Sequence, residues 1–367
     1  MQAGLLKTFT NPVQSRRATA WLLSAALFVV YFMFYFNIPP GMEGLAAALG
    51  LDSRWTLYGI LYTIAIIVGG GFFLKRHGNS RYHRVRTISL MFFQIVFAFS
   101  IPMVMELFGS KGFTFSIFWP LKIDYFYPSN IFEYPVLLIV YAFVTALIGV
   151  PIMTILFGKR WYCSWMCGCG GLAETAGEPF RHLTSKSSGA WRFEQAAIHS
   201  VLVLAIVTTA LVLINWGLHH TNGQGEWVAS YAGFDAVASK VQGVYQFIVV
   251  AMLSGVLGVG LYPLMGNRVW CRYFCPLAAI LGLFQKFGRF RITVKDDMCI
   301  SCGNCSTYCE MGIDVRAYAQ TNVSFKRAAC VGCGICAHVC PRGVLKLENK
   351  WDFRQGPDQK VIKIFDM

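Results

Sequence analysis

Eight of the thirteen cysteines fall in two stretches near the C-terminal end, CISCGNCSTYCE at 299–310 and CVGCGICAHVCP at 330–341. Each stretch has the spacing C-x2-C-x2-C-x3-C, which is typical of ligands to cubane [4Fe–4S] clusters. Where two such runs occur in tandem, the fourth cysteine of each run ligates the cluster that the other run holds. The spacing therefore predicts two clusters. The first is assigned to Cys299, Cys302, Cys305 and Cys340, and the second to Cys330, Cys333, Cys336 and Cys309.

Zinc ribbons and disulfides are the alternative uses of so many cysteines. Zinc ribbons use isolated C-x2-C pairs rather than three spaced cysteines followed by a fourth, so we favour iron–sulfur clusters. The stretch 296–349 is then a cytoplasmic ferredoxin-like α+β domain with two [4Fe–4S] clusters. The chain is predicted to move electrons.

The composition of the rest of the chain indicates a membrane protein. Hydrophobic residues make up 56% of the chain and charged residues 14%, with a mean hydropathy of +0.51; soluble proteins average about 25% charged. A membrane-spanning helix needs about 20 apolar residues. Six stretches qualify, so we predict a polytopic α-helical protein with a six-helix membrane domain at 1–265. The stretches are 21–38, 55–74, 87–108, 134–157, 197–216 and 242–265.

The basic residues predict the orientation of these spans. The N-terminal segment and the loops at 75–86 and 158–196 carry thirteen Lys and Arg, against four in the alternate loops. Because basic loops stay in the cytoplasm, both termini are expected there, in a bacterial inner membrane. The first span loosely imitates a signal peptide but is interpreted as a retained anchor. The net charge of +14 suits anionic lipid headgroups. No recognition motif supports a nucleic-acid partner.

An internal repeat holds the remaining five cysteines. GKRWYCSWMCGC at 158–169 aligns with GNRVWCRYFCPL at 266–277, and each copy follows a span that runs from outside to inside. The repeat predicts a helical hairpin that ends in a C-x3-C motif at the cytoplasmic membrane surface. Four thiolates from two such motifs are enough for a third iron–sulfur centre, with Cys169 as an extra thiol. The alternative is buried, reduced structural cysteines. The four predicted ligands are Cys163, Cys167, Cys271 and Cys275.

The stretch RVWCRYFCPLAAILG from Arg268, the earlier C-x3-C copy and the tandem cysteine runs resemble the NapH/NosR-type membrane polyferredoxins. The resemblance implies quinol-linked electron transfer that serves respiratory reductases, with the quinone pool and other subunits of a redox complex as partners. Three residues depart from the family pattern. Gly168 replaces a proline, Cys169 is added, and Glu310 replaces the proline after a ferredoxin run. Some relatives attach FMN to a threonine in a short motif. In this chain Trp191 stands in place of that threonine, so no covalent FMN is expected.

Other redox chemistry finds little support in the sequence. A transmembrane haem b needs paired axial histidines, and a single histidine lies inside a predicted span. No glycine-rich nucleotide loop is present. Ionisable residues near spans are candidates for handling quinone, although interfacial side chains also snorkel without a function. The candidates are Glu106, His199, His219 and His220.

Two further segments complete the predicted organisation. The aromatic outer loop at 109–133 is expected to lie along the outer headgroups, with a docking surface as the alternative. Residues 266–295 form a junction with the second C-x3-C and a basic linker, and 350–367 form a polar tail.

The leading functional hypothesis is an electron-transfer subunit of the quinol dehydrogenase type, which relays electrons between membrane quinol and a partner respiratory oxidoreductase. Two alternatives stay open: a CcoG-like assembly factor that reduces a metal or thiol, and a membrane anchor for a soluble oxidoreductase.

Overall fold

Six long apolar helices form the membrane part of the protein, as the hydropathy pattern predicts. The computed structural model describes residues 14–36, 41–121, 123, 127, 133–221, 227–229, 232–351 and 361–363. Within these ranges six helices are long and apolar enough to cross a membrane, by length and composition. They are numbered first to sixth span in chain order: Ala18–Phe36, Arg54–His77, Arg81–Leu107, Val136–Phe157, Ser188–Gly217 and Gly233–Gly260.

The spans differ from the prediction at their ends. The fifth span has 30 residues and is about 45 Å long, so it continues beyond a hydrocarbon core of about 30 Å. The sixth span begins at Gly233 and ends at Gly260, whereas the sequence placed it at 242–265. Pro263 explains the earlier end, because proline lacks the amide hydrogen that a continuing helix needs. A separate short helix, Tyr262–Met265, follows.

Shorter helices connect the spans. Two of them frame the first C-x3-C motif, and a π-helical turn followed by a 12-residue helix frames the second. The shorter helices are Gly41–Ala48, Arg160–Cys163, Gly168–Glu174, a 3-10 turn at Glu178–Leu183, the π-helical turn Trp270–Phe274, and Pro276–Phe287.

The aromatic outer loop folds inward, so the expectation that it lies along the headgroups is wrong for its described part. Ser116 and Phe118 are buried. The hydroxyl of Tyr162 donates to the Ser116 carbonyl at 2.9 Å, and the indole of Trp119 donates to Thr209 of the fifth span at 3.1 Å. Aromatic rings serve equally well at an interface and in a core, which is why composition alone misplaced this loop.

The C-terminal domain is built on a four-stranded sheet in the order β5-β3-β4-β6. β3 pairs antiparallel with β4 and β5, and β4 pairs parallel with β6. A separate hairpin of β1 and β2 lies beyond the fifth span. The strands are β1 His219–Thr221, β2 Trp227–Ala229, β3 Phe290–Val294, β4 Ser324–Lys326, β5 Leu345–Asn349 and β6 Val361–Lys363. The helices of this domain are Asn304–Thr307, Val315–Gln320 and Ile335–His338.

Two boundaries of the C-terminal domain differ from those expected. β3 belongs to its sheet although the sequence placed it in the basic linker, so the domain begins at Phe290 rather than at 296. β6 lies in the segment that was expected to be a polar tail.

The C-terminal domain rests on the membrane domain through buried hydrogen bonds. Ser164 in the first C-x3-C motif donates to the Val331 carbonyl at 2.8 Å, and Tyr82 donates to the Gly332 carbonyl at 2.7 Å. Gln285 donates to the Cys330 carbonyl at 2.9 Å. All three contacts involve the second cysteine run, so this run faces the membrane domain.

Candidate iron–sulfur centres

The eight cysteines of the C-terminal domain line two cavities, grouped as the crossover spacing predicts. One cavity is lined by Cys299, Cys302, Cys305 and Cys340. The other is lined by Cys309, Cys330, Cys333 and Cys336. We call them the outer site and the inner site. All thirteen cysteines are described and free of disulfides, so the thiols remain open to metal. That they bind iron stays a prediction.

The loops around both sites share an unusual backbone. On each side of the second cysteine a residue has positive φ: Ser301 (58°) and Gly303 (80°) at the outer site, Gly332 (63°) and Gly334 (81°) at the inner site. Left-handed residues turn the chain sharply and are favourable mainly for glycine. The alternation curls each loop around its cavity.

Backbone amides donate to several of the cysteine sulfurs, as is expected around thiolates that bind a metal cluster. The Val344 amide donates to Cys340 Sγ at 3.4 Å, and the Ser306 amide donates to Cys305 Sγ. Such donors stabilise thiolates and tune cluster potentials. Burial raises the pKa of the Cys305 thiol to about 11 and that of Cys330 to about 12. Metal binding at these sites therefore has to release protons.

The two sites differ in exposure. Cys302 is exposed at the outer site, and its neighbour Ile300 is 57% exposed. Cys330 and Cys336 of the inner site are buried against the membrane domain. The outer site therefore faces the surroundings and the inner site faces the membrane domain.

The two C-x3-C motifs have the same local structure. Gly158 and Gly266, which the repeat aligns, end the preceding helices with φ of 74° and 97° and ψ near 170°, a region nearly restricted to glycine. The Cys167 amide donates to the carbonyl of Tyr162 at 2.9 Å. The matching amide in the second copy donates to the matching carbonyl at 3.0 Å. The sequence repeat is thus a repeat of conformation.

The structure brings the five cysteines of the repeat together in one buried cluster. The four cysteines of the two C-x3-C motifs are 5–7% exposed and belong to one apolar core. Burial raises the pKa of Cys275, and three neighbouring thiols raise it further. The thiols of Cys169 and Cys167 lie within hydrogen-bonding reach of each other. We call this cluster the bundle site. The three neighbours of Cys275 are Cys271, Cys163 and Cys167.

The bundle site lies deeper than the membrane surface where the sequence placed it. A Cβ at Gly168 would lie against Gln94 of the third span and the ring of Tyr62 of the second. Gln94 is about 10 Å beyond Thr87, where the apolar part of the third span begins, at 1.5 Å per helical residue. The motif is therefore enclosed by the spans.

The three arginines near the motifs have different roles. Arg268 contacts Cys271 Sγ at 3.6 Å and the Cys163 carbonyl at 3.2 Å. Arg272 pairs with Glu194 at 2.6 Å. Arg160 lies over the ring of Phe290, 4.9 Å from its centroid. In the structure, Arg268 is the one in contact with a sulfur of the bundle site.

A buried ionic network lies between the bundle site and the inner site. Glu174 pairs with Arg86 at 2.8 Å and with Arg268 at 2.6 Å. Glu310 pairs with Arg268 at 3.1 Å and with Arg181 at 2.9 Å. All five side chains are at most 1% exposed. Three cations and two carboxylates leave one positive charge beside sites that take negatively charged clusters.

The network touches the inner site directly. Arg181 lies 3.8 Å from Cys333 Sγ, and Arg86 donates to the Cys333 carbonyl. Burial opposes ionisation of Glu310, but Arg181 and Arg268 lower its pKa to about 2. Glu310, which stands where the family pattern has a proline, therefore forms ion pairs. Ligand atoms of Glu174, Glu310 and Cys333 lie within 4.8 Å of one another, and guanidinium groups lie within ion-pair distance of both carboxylates.

Sequence reasoning missed Arg86, Arg181 and Glu174. One signal was present: Glu174 lies seven residues after Cys167, in the cytoplasmic loop that carries the first C-x3-C motif. An acid buried near such cysteines needs a cation, because a buried charge is costly unless it is paired.

The four candidate quinone residues fall in different places. Glu106 is exposed at the outer end of the third span, away from every cysteine site. The side chains of His219 and His220 lie outside the described residues. His199 is half-buried in the fifth span and lines a cavity beside the bundle site. Among the candidates with described side chains, His199 is the one near a cysteine site.

Two family models match the chain, and both concern iron–sulfur proteins. A 4Fe-4S dicluster domain matches residues 292–347, which hold both cysteine runs. A 4Fe-4S binding domain matches twice, at 139–187 and 248–295, and each match contains one C-x3-C motif. The chain is thus a membrane protein with 4Fe-4S ferredoxin domains. No solved structure matches it.

Curated relatives confirm the resemblance stated from the sequence. YccM of Escherichia coli K12, provisionally named an electron transport protein, is 26% identical over 43% of each chain. The methylamine utilization ferredoxin-type protein MauN of Methylobacillus flagellatus is 27% identical over 45% of this chain and 54% of its own. The ferredoxin-type protein NapH of Escherichia coli K12 is 23% identical over 45% and 53%. The chain spans about half the length of the curated relatives it matches.

These findings establish the class of the protein. Its homologues are 4Fe-4S ferredoxin-type electron-transport proteins, and it carries 4Fe-4S binding domains beside six apolar helices.

Proposed function

We propose that the protein relays electrons from membrane quinol, through three iron–sulfur centres, to a partner respiratory oxidoreductase. The observation that carries the proposal is the order of the cysteine sites. The bundle site lies among the spans, the inner site follows across the ionic network, and the outer site ends at the surface. A cluster at each site makes a continuous one-electron path.

The residues of each site support a cluster there. The bundle site offers Cys163, Cys167, Cys271 and Cys275, and its two halves match a 4Fe-4S binding model. Cys169 is the reserve thiol, because the repeat pairs the other four cysteines and leaves it without a counterpart in the second copy. Thiolate donors are the ligands that such clusters require.

The outer site supports an exit to a partner. Arg316 and Arg342 line it and are exposed, and Ile300 adds an apolar surface. A basic rim around an apolar centre suits a partner with an acidic docking face. The partner is therefore expected to bind over Cys302.

Loading with iron tests the three centres. Full-length protein reconstituted anaerobically should bind about twelve iron atoms, four at each site. Replacing Cys163 or Cys271 by Ser should remove about four, while the two ferredoxin signals in electron paramagnetic resonance survive. Cys169→Ser is the matched control and should keep all twelve. An unchanged iron content in both ligand variants would reduce the bundle site to structural thiols.

Reduction by quinol tests the direction of the relay. A quinol added to the loaded protein in nanodiscs should reduce all three centres, whereas the Cys271→Ser protein should leave the ferredoxin clusters oxidised. Dithionite should reduce those clusters in both proteins. Equal reduction by quinol with and without Cys271 would contradict the proposed path.

We also propose that the ferredoxin domain and both termini are cytoplasmic. The second cysteine run contacts Tyr82 of the basic loop at 75–86, which supports this orientation. A fluorescent protein fused after Met367 should fluoresce in cells, and alkaline phosphatase at the same place should be inactive. The opposite pattern would invert the orientation.

A further inference from the structure

A patch of exposed aromatic and basic side chains lies where the fourth span meets the ferredoxin domain. Phe287 is 71% exposed, Trp351 45% and Phe157 38%. Phe157 is the last residue of the fourth span, whereas Trp351 follows β5 of the ferredoxin domain. We call this surface the membrane-edge patch. Its members are Phe157, Arg160, Phe287, Arg289 and Trp351.

We propose that the membrane-edge patch binds the headgroup of an anionic phospholipid and thereby holds the ferredoxin domain against the membrane surface. The group recognised is a phosphodiester beside acyl chains, with arginines for the phosphate and aromatic rings for the chains. The inference goes beyond the proposed relay, and it does not depend on which metal the cysteines hold.

The position of the patch along the membrane favours a lipid. The fourth span has 22 residues, so it is about 33 Å long at about 1.5 Å per helical residue. This length matches a hydrocarbon core of about 30 Å, so Phe157 lies where the acyl chains meet the headgroups. Tryptophan is enriched at this level of a membrane. The exposed rings of the patch are therefore expected to contact lipid.

Two arginines of the patch are held in place at the end of the fourth span. Nε of Arg289 donates to the Leu156 carbonyl at 3.0 Å, and Nε of Arg160 donates to the Phe157 carbonyl at 3.0 Å. The guanidinium of Arg289 also lies over two rings, 6.0 Å from the centroid of Phe157 and 5.6 Å from that of Trp351. Among the described residues, no hydrogen bond reaches the Nη atoms of either arginine. A guanidinium fixed in this way keeps two Nη donors for a bidentate phosphate.

An excess of positive charge makes the expected headgroup anionic. β3 and β5 are paired up to Asn349, so exposed Lys350 lies beside Arg289, the residue before β3. Like charges opposite each other on paired strands are destabilising. Glu348, the acid in these two strands, already pairs with Arg291 at 3.6 Å. Choline and ethanolamine headgroups bring a cation of their own, so an anionic headgroup compensates the patch better.

The patch belongs to both domains. Arg160 lies in the loop after the fourth span, and Arg289 directly precedes the first strand of the ferredoxin sheet. Both side chains donate to consecutive carbonyls at the end of one helix, so one headgroup can contact both. A lipid bound there stabilises the docked arrangement of the domains, because that arrangement brings the two arginines together.

Lipid titration tests the inference. Full-length protein in a neutral detergent is titrated with phosphatidylglycerol, and the bound lipids are counted by native mass spectrometry. Wild type should bind one phosphatidylglycerol at least about tenfold more tightly than phosphatidylcholine. Arg289→Gln should weaken this site about tenfold, as for one charged hydrogen bond. Lys350→Gln changes an exposed residue and should weaken it about two- to fivefold.

Thermal unfolding provides a second measurement. Phosphatidylglycerol should raise the unfolding temperature of wild type, because a ligand of the folded state stabilises it. It should raise that of Arg289→Gln much less. Arg192→Gln is the matched control, since it removes an exposed arginine near the start of the fifth span, and it should bind lipid like wild type. Iron content and the unfolding temperature without lipid check that every variant is folded.

Four results would overturn the inference. Unchanged phosphatidylglycerol binding in Arg289→Gln and Lys350→Gln places the lipid elsewhere, and an equal loss in Arg192→Gln reduces the effect to net charge. Equal affinity for phosphatidylcholine rejects an anionic headgroup site. Stabilisation of wild type by inorganic phosphate alone, absent in Arg289→Gln, assigns the arginines to a free anion instead of a lipid.

Discussion

Arg181 is the residue that links the buried ionic network to the inner site, since it contacts both Glu310 and Cys333 Sγ. A cation beside a cluster ligand favours the reduced cluster, which carries one more negative charge. Arg181→Met should therefore lower the potential of the inner-site cluster. A charged hydrogen bond of about 1.5 kcal/mol corresponds to about 60 mV for one electron.

A redox titration followed by electron paramagnetic resonance measures this shift. Arg181→Lys keeps the charge and should shift the potential less. Arg192→Met removes an exposed arginine and should leave both ferredoxin potentials unchanged. An inner-site potential that stays constant in Arg181→Met would mean that the arginine only docks the domain.

At the scale of residues, the sequence predicted how the cysteines group together, but it did not predict the buried ion pairs beside them. The grouping of Cys340 with the first run follows from spacing, because a cluster loop is a local structure with fixed steps. The network could not be predicted that way. Arg86, Glu174 and Glu310 come from three distant segments, and they meet only after the ferredoxin domain has docked.

Two short turns shape the bundle site at the scale of elements. Gly158 has φ 74° and ψ 172°, and an added Cβ there would overlap Phe290. Gly158→Ala and Gly266→Ala should each cost about 1–3 kcal/mol in the free energy of unfolding. Both should also lower the iron bound at the bundle site.

Thermal unfolding and iron analysis in detergent measure these effects. Gly189→Ala is the control, because nothing surrounds that position and alanine favours a helix. Its unfolding temperature should equal or exceed that of wild type. Wild-type stability in Gly158→Ala would show that the turn tolerates a side chain.

The sequence predicted the long apolar helices, whose composition is uniform. It did not predict elements of mixed composition, such as a strand and a loop. Hydropathy located six spans, since a helix in lipid must be apolar over its length. The strand Phe290–Val294 was missed because its arginine and the nearby lysines resemble a linker, although it lies at the centre of the ferredoxin sheet. The outer loop was misplaced because Ser116 and Phe118 become buried only through contacts with distant spans.

For the whole molecule, docking of the two domains depends on buried ion pairs. Breaking a buried pair leaves an uncompensated charge and costs about 3–5 kcal/mol. Glu310→Gln leaves Arg181 and Arg268 underpaired across the domain boundary and should destabilise the docked ferredoxin domain by that amount. Glu348→Gln removes a more exposed pair with Arg291, at 3.6 Å, and should cost less than about 1 kcal/mol.

Denaturant unfolding of the iron-loaded protein, followed by the loss of cluster absorbance, measures both variants. The midpoint should fall clearly for Glu310→Gln and little for Glu348→Gln. Equal midpoints would mean that apolar contacts and backbone hydrogen bonds hold the domains together without the network.

The matching turns at Gly158 and Gly266 also bear on how this chain arose. Each half supplies two cysteines, from a helix that runs in the same direction across the membrane, so neither half alone can complete a four-thiolate site. Parallel repeats of this kind are related by an axis along the membrane normal. The arrangement is that of a hairpin that was duplicated and fused into one chain. Arg268 now turns inward while Arg160 turns outward, so the fused copies have since specialised.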